Sequence, residues 1–191
     1  MPGKISLFVP GPTNMPDRVR QAMDISNEDH RAPGMDKFWH PLITDLKKVF
    51  GTTEAQPFVF AGTGSSGWEA ALTNILNEGD KVLSGRFGHF SHLWIEMCKK
   101  LNVEVEVVDV DWGLGTPHED FERILKADTN HEIKAVLVTH NETSTGVTNN
   151  VATTRELLNN LNHPALLFVD GVSSIGSIDF QMDKWGVDAA I

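Results

Sequence analysis

The chain has 191 residues, of which 40% are hydrophobic, and it carries 16 Lys and Arg residues against 26 Asp and Glu residues. The resulting formal charge of -10 repels nucleic acid and anionic membrane surfaces, and no local basic patch compensates for it. The composition predicts a globular chain of ordinary core size, without low-complexity segments or runs of charge.

Cysteine content and hydropathy also bear on the compartment. The lone Cys98 has no second cysteine for an internal disulfide, and its position beside an apolar helix face predicts a buried thiol. No apolar run approaches the roughly 18 residues of a membrane span. Residues 1–4 do not open a signal peptide. We therefore expect an intracellular, cytoplasmic protein with neither nucleic acid nor membrane as a partner.

The N-terminal region is predicted to be an extended arm followed by helices. Two prolines around a glycine in residues 8–14 prevent a helix or a central strand, and a short helix with Pro16 in its first turn follows. His30 and Arg31 then lie in a polar loop closed by Pro-Gly. Apolar residues at helical spacing predict a second helix from Asp36 to Phe50, packed on a sheet.

A glycine-rich turn follows and has the pattern of an anion-binding site. Residues 57–60 predict a short strand, and residues 61–67 (Ala-Gly-Thr-Gly-Ser-Ser-Gly) lead into a helix with Trp68 on its apolar face. Small residues let the backbone approach a ligand, while free N–H groups and the helix dipole attract a phosphate. The hydroxyls of Thr63, Ser65 and Ser66 add donors. This context favours a phosphate ligand over a purely structural turn.

The same residues, 62–67, fit the G-x-G-x-x-G pattern of nicotinamide-binding folds, which is therefore a rival interpretation. In those folds an acidic residue ends the second strand, about 20 residues after the glycines. Here Asp80 precedes the strand that begins at Lys81. The acid is at the wrong end of the strand, which weakens this alternative.

The next helix begins near Phe90, and its apolar residues are mostly predicted to be core. Because Phe90 follows the end of a strand, it is also a candidate for stacking on an aromatic cofactor. His89 and His92 are three residues apart, but no carboxylate or cysteine stands at ligand spacing, so we predict no metal site.

Three further strands complete the predicted sheet. Residues 103–108 alternate between apolar and acidic, which predicts a strand near the edge of the sheet. Residues 135–138 and 165–169 are continuously apolar, as expected for central parallel strands covered by helices on both faces. The first of these two is followed by Asn141-Glu142-Thr143 and the second by Asp170. Carboxyl ends of parallel strands meet at one edge, so we expect one composite site there in an α/β fold.

Taken together, these motifs resemble a known family. Their order is Pro-Gly-Pro-Thr-Asn at 10–14, Gly-Thr-Gly at 62–64, His-Asn-Glu-Thr-Ser-Thr-Gly at 140–146, and Val-Asp-Gly-Val-Ser-Ser at 169–174. The chain resembles the class V pyridoxal phosphate (PLP) dependent aminotransferases, in the branch of the serine:glyoxylate and alanine:glyoxylate enzymes. The resemblance extends from the arm to Ile191.

This resemblance implies the large domain of a fold type I PLP-dependent transferase, with a mostly parallel sheet and helices on both faces. It also implies transamination of a small amino acid, serine or alanine, with glyoxylate as the acceptor. Arg31, in a loop that reaches the neighbouring subunit of a homodimer, would contact the substrate carboxylate, although His30 stands where the family has Tyr. The implied cofactor-binding residues are Thr63, Gly64 and Ser65 at the phosphate, Phe90 and Val172 on the ring faces, Thr143 near the ring hydroxyl, and Asp170 at the ring nitrogen.

The family's catalytic lysine has no counterpart in this chain. It follows the segment matched by Trp-Gly-Val-Asp-Ala at 185–189, so we expect the Schiff-base lysine and the smaller C-terminal domain to lie beyond Ile191. Residues 1–35 are then the arm and first helix, and residues 36–191 a partial large domain. As an N-terminal half, the chain alone is expected to be inactive. A peroxisomal address is an alternative to the cytoplasm, since such a signal is C-terminal.

Three alternatives remain open. A cysteine desulfurase or another lyase of the same fold typically has His above the ring and Gln or His three residues after the Asp, where this chain has Phe90 and Ser173. A nicotinamide-binding module is less favoured because of the position of Asp80. The chain is alternatively a truncated, non-catalytic protein.

Overall fold

The computed structural model describes residues 6–11 and 13–191. Residues 1–5 and Pro12, which belong to the predicted arm, lie outside the described residues. Backbone contacts divide the chain into two compact units, one up to Leu42 and the other from Ile43 to Ile191. The predicted boundary after residue 35 stays a prediction. Among the described residues, no helix has the length and apolarity needed to cross a bilayer.

The described residues alternate between helices and strands over most of the chain. The helices are α1 (Asp17–Met23), α2 (Asp36–Phe50), α3 (Gly64–Ile75), α4 (His89–Lys100), α5 (His118–Ala127) and α6 (Val151–Asn160). The strands are β1 (Lys81–Arg86), β2 (Glu104–Asp109), β3 (Ile133–Thr139), β4 (Asn141–Glu142), β5 (Val147–Thr148), β6 (Leu166–Asp170) and β7 (Ala189–Ala190).

Five strands form a parallel sheet in the order β2-β1-β3-β6-β7. The half-exposed strand β2 is an edge of the described sheet, as its alternating sequence predicts. β3 and β6 are central, and their register pairs Thr139 with Asp170, so both strands end at the same level. β4 and β5 form a small antiparallel hairpin just beyond the end of β3.

Hydrophobic cores cover both faces of the sheet, which confirms the predicted α/β fold. On one face, Val82, Leu137 and Phe168 pack against Trp68 of α3 and Trp94 of α4. The opposite face, formed by Leu83, Val136, Val138, Leu167 and Val169, packs against α5, α6 and residues 180–187. Alternate residues of each central strand therefore enter different cores. The buried thiol of Cys98 lies in the first core, where burial raises its pKa to about 12.

Three local predictions were wrong. Residues 57–60 form no strand, because they pair with no strand among the described residues, and Phe58 and Phe60 are 75% and 68% exposed. α2 has the predicted bounds but does not pack on the sheet along its apolar face, since it contains no buried residue. Its last residue, Phe50, is partly buried and packs against the core. Pro16 precedes α1 and is not in its first turn.

Candidate cofactor site

Asp170 is a buried carboxyl group at the end of a central strand. It is 4% exposed, and one of its carboxyl oxygens accepts a hydrogen bond of 3.1 Å from the N–H of Val172. Burial raises the pKa of Asp170 to about 6, and the nearby charge of Glu142 acts in the same direction. No ion pair to Asp170 exists within the part of the chain that the structure describes. A cationic partner is what this carboxylate lacks.

The indole of Trp68 is a second donor that acts on Asp170. Trp68 is 3% exposed and stacks on Trp94, with ring centroids 5.8 Å apart and an interplanar angle of 18°. Its N–H lowers the pKa of Asp170, yet it meets no acceptor with hydrogen-bond geometry among the described residues. The hydrogen bond from Val172 is therefore the one that the geometry supports, and the Trp68 N–H is a donor without a hydrogen-bond partner among the described residues.

The N-terminus of α3 has the form of an anion cradle. Thr63 precedes the helix, and its side chain does not cap it. The N–H groups of Ser66 and Gly67 bond to the Thr63 carbonyl, whereas those of Gly64 and Ser65 meet no acceptor in the described chain. Thr63 and Ser65 are exposed, and the two N–H groups without an acceptor lie at the positive end of the helix dipole.

The cradle lies against the loop that follows Asp170. A Cβ atom built on Gly64 would be 2.7 Å from one methyl carbon of Val172 and 3.0 Å from the other. Glycine at this position therefore lets the first turn of α3 touch Val172. The predicted phosphate-binding residues and the predicted ring-nitrogen partner are brought together by this contact.

The loops after β3 and β6 are joined by hydrogen bonds. Asn141 donates its amide N–H to the Ser173 hydroxyl, which in turn donates to the Asn141 carbonyl, both at 2.9 Å. His140 is 3% exposed, and its Nδ1 is 2.9 Å from the Ser174 hydroxyl. Burial lowers the pKa of His140, which keeps the ring neutral. These bonds fix the Asp170 loop to the loop that carries Thr143.

The carboxylate of Glu142 accepts four hydrogen bonds from described residues. Although fully buried, its carboxylate accepts hydrogen bonds from the N–H groups of Phe90 (3.2 Å) and Ser91 (2.9 Å) at the start of α4. It also accepts bonds from the hydroxyl (2.7 Å) and the N–H (3.2 Å) of Ser144. Burial opposes ionisation of Glu142, but these bonds outweigh it and lower its pKa.

Two neighbouring helices thus differ at their N-termini. The first turn of α4 is capped by the chain's own carboxylate, while the first turn of α3 is left without one. A ligand that carries an anionic group and a nearby positive charge fits this arrangement. Its anion would meet the N–H groups of Gly64 and Ser65, and its positive charge would meet Asp170.

The structure brings together most of the predicted site residues. Gly64, Val172 and Asp170 are adjacent, and half-buried Phe90 is linked to half-buried Thr143 through Glu142. Arg31 belongs to the other compact unit, where its N–H bonds to Asp29 at 2.9 Å, so its contact with substrate stays a prediction.

The sequence interpretation missed Glu142 and Trp68. Trp68 was assigned only to the core, since its position on the apolar face of α3 carries no sign of a nearby carboxyl group. Glu142 stands in a recognised motif without a role of its own. The helix that it caps begins 53 residues earlier, at His89, so no local capping pattern could identify it.

Comparison with known proteins assigns the chain to a family. Residues 5–191 match the family model described as Aminotransferase class-V. The serine–glyoxylate aminotransferase of Methylorubrum extorquens is 55% identical over 190 residues, which are 100% of this chain and 47% of that protein. The L-aspartate–glyoxylate aminotransferase of Paracoccus denitrificans is 54% identical over 97% of this chain and 47% of its own length.

Solved structures agree with this relationship. The crystal structure of an alanine–glyoxylate aminotransferase from Nostoc sp. superposes with a TM-score of 0.87 at 29% sequence identity, over 100% of this chain and 50% of that one. The present chain therefore spans about half the length of the curated relatives that it matches.

Proposed function

Because the chain belongs to the class-V aminotransferase family, we propose that it forms the PLP-binding part of a transaminase that transfers the amino group of a small amino acid to glyoxylate. Serine or alanine is the proposed donor. The name of one 54% identical relative adds L-aspartate as a donor to be tested. Half-length coverage of the relatives supports a longer polypeptide, which would supply the catalytic lysine and the smaller domain.

The observation that carries the proposal is Asp170. A carboxyl group that is 4% exposed, with a pKa raised to about 6 and no cationic partner among the described residues, is suited to a ligand that brings its own positive charge. PLP, when bound, supplies an electron sink for bond breaking at the α-carbon of an amino acid. Asp170 is proposed to hold a proton at the ring nitrogen, which maintains that sink.

The other residues of the site bind and orient. Thr63, Gly64 and Ser65 are proposed to bind the phosphate through hydroxyl and backbone N–H groups at the start of α3. Phe90 is proposed to cover one face of the ring and Val172 the other, so that water is excluded from it. Thr143 is proposed to donate a hydrogen bond near the ring hydroxyl.

Substrate recognition is proposed to involve a second subunit. The whole protein would be a homodimer, and Arg31 would bind the substrate carboxylate in the partner's site by a charge-assisted, bidentate contact. The substrates are then one amino acid and one 2-oxo acid.

The test uses the whole protein that contains this chain. We expect bound PLP to give an absorbance band at roughly 400–430 nm, as its conjugated ring implies. Addition of serine and glyoxylate should yield glycine and the 2-oxo acid of serine. Alanine and aspartate are tested in parallel. Formation of alanine from cysteine without transamination, with sulfide released on addition of a thiol reductant, would favour the desulfurase alternative, and binding of NADH without PLP would overturn the proposal.

A further inference from the structure

The buried carboxylate of Glu142 joins two parts of the site that are far apart in sequence. It is the last residue of β4, directly before Thr143, and it reaches the first turn of α4, which carries Phe90. The bonds to the N–H groups of Phe90 and Ser91 use both of its oxygens, Oε1 and Oε2. The two predicted ring contacts, Phe90 and Thr143, thus share a single carboxylate as their link.

Ser144 completes the same link. Its hydroxyl donates to Glu142 at 2.7 Å and accepts a bond from the N–H of His89 at 2.9 Å. Together, Glu142 and Ser144 satisfy the N–H groups of His89, Phe90 and Ser91. A helix normally leaves such N–H groups to local caps or water. Here all three are held by a loop more than 50 residues away in sequence.

The packing around Glu142 leaves little freedom for this link. A Cβ atom built on Gly88 would lie 2.3 Å from both Cγ and Cδ of Glu142, so the carboxylate rests directly on the backbone before α4. Glu142 is also fully buried, and its charge is stabilised by the N–H donors and the helix dipole. A side chain held in this way transmits the position of its loop to the helix.

We propose that Glu142 is a positioning residue of the cofactor site, which sets the position of Phe90 relative to Thr143 by capping α4 from the loop after β3. This inference rests on the proposed function, because Phe90 and Thr143 matter only if a ring binds between the elements that carry them. Glu142 does not itself touch the ligand. Its charge contributes to the raised pKa of Asp170, and its positioning effect passes through the backbone of Phe90 and the hydroxyl of Ser144.

The experiment replaces Glu142 by Gln in the whole protein, with Glu96→Gln as the matched control. Glu96 is on the same helix but in an exposed pair with Lys99 at 2.7 Å. Glu142→Gln keeps the size of the side chain but turns an amide NH₂ toward N–H donors. We expect PLP affinity to fall about tenfold, since bonds to a charged acceptor are lost. The visible circular dichroism of bound PLP should also decrease at saturation. Glu96→Gln should change neither quantity.

Affinity and dichroism are compared with the thermal midpoint of each apoprotein. A Glu142→Gln protein with a lower midpoint but wild-type PLP affinity and dichroism would overturn the inference, because Glu142 would then only stabilise the fold. If that variant does not fold, Ser144→Ala decides in the same way, since it removes one donor to Glu142 and the acceptor for His89. Failure of the wild-type protein to bind PLP would instead overturn the proposed function.

Discussion

At the scale of single residues, the buried carboxyl group of Asp170 lowers the stability of the protein when it is ionised. Its pKa rises from 3.8 to about 6 on burial, so the folded protein binds this proton more tightly than the unfolded chain does. The stabilisation from that proton is complete below pH 4 and is lost as the pH rises through 6. At neutral pH the ionised carboxyl group costs stability on the order of 3 kcal/mol, which a cationic ligand would offset.

We predict that Asp170→Asn stabilises the apoprotein relative to wild type more at pH 8 than at pH 4.5. The amide does not titrate, so the variant avoids the cost of a buried charge above pH 6. The thermal midpoints of both apoproteins at the two pH values provide the measurement. Other groups, including His140, titrate in both proteins and cancel in the difference. An equal difference at both pH values would show that Asp170 is already ionised without cost.

Trp68→Phe should raise the midpoint of that pH dependence by up to about one pH unit, because one neutral donor beside Asp170 is lost. Trp94→Phe is the matched control: the Trp94 indole belongs to the same stacked pair, and its N–H is also buried without a partner. Trp94 is not among the groups that shift the pKa of Asp170. Equal midpoints for the two variants would mean that packing of the pair, and not the Trp68 N–H, acts on Asp170.

The two key carboxylates differ in how far the sequence reveals them. Asp170 follows five apolar residues and precedes glycine, so its place at a strand end could be predicted from the chain alone. Glu142 follows the end of another strand, but its partners are N–H groups of α4. Nothing in the spacing between residues 90 and 142 indicates that contact. Long-range hydrogen bonds to backbone leave no side-chain pattern to find.

At the scale of elements, the contact between α3 and the Asp170 loop depends on Gly64. The strand, turn and helix order around residues 61–67 suggested that glycine is needed there for approach of a phosphate. The structure adds a second reason, the methyl groups of Val172 at 2.7 and 3.0 Å from a Cβ at Gly64. The two reasons can be separated by mutation.

We predict that Gly64→Ala lowers PLP affinity about tenfold, or by about 1.4 kcal/mol, because Val172 must move and overpacking typically costs about 1–3 kcal/mol. Val172 is 55% exposed, so it has room to turn outward and the fold itself should lose little stability. The double variant Gly64→Ala/Val172→Ala should recover most of the affinity, with Val172→Ala as the reference. PLP titration measures all four proteins.

Two results would change this interpretation. If the double variant binds as weakly as Gly64→Ala, the new methyl group acts on the phosphate and not on Val172. Wild-type affinity for Gly64→Ala would contradict both reasons and would move the phosphate away from the start of α3.

Helices and strands were predicted well where the apolar spacing within the segment defines them. They were predicted poorly where they depend on a neighbouring strand. α2 and the central strands β3 and β6 follow directly from apolar spacing. Residues 57–60 have the composition of a strand, but a strand also requires a neighbour to bond with, and the described residues offer none there. The hairpin of β4 and β5 is only two residues on each side, too short to leave a periodic pattern.

At the scale of the whole molecule, the sheet has no solvent face at its centre. Leu167 and Phe168 are consecutive in β6 and both are fully buried, Leu167 in the core beneath α5 and α6 and Phe168 in the core beneath α3 and α4. The unbroken apolar run of β6 predicted this double coverage from the sequence. Which helices cover which face could not be predicted, since that depends on the strand order.

We predict that Leu167→Ala and Phe168→Ala each lower the free energy of unfolding by roughly 2–5 kcal/mol, because each leaves a cavity in a different core. Val107→Ala in the edge strand β2, where the side chain is half-buried, should cost about 1 kcal/mol or less. Urea unfolding of the wild type and the three variants, all as apoproteins, provides the comparison. A sheet with one solvent face would give a large loss for only one of the two neighbours in β6. Equal, large losses for both require helices on both sides, which is the architecture that holds Asp170 at the buried end of its strand.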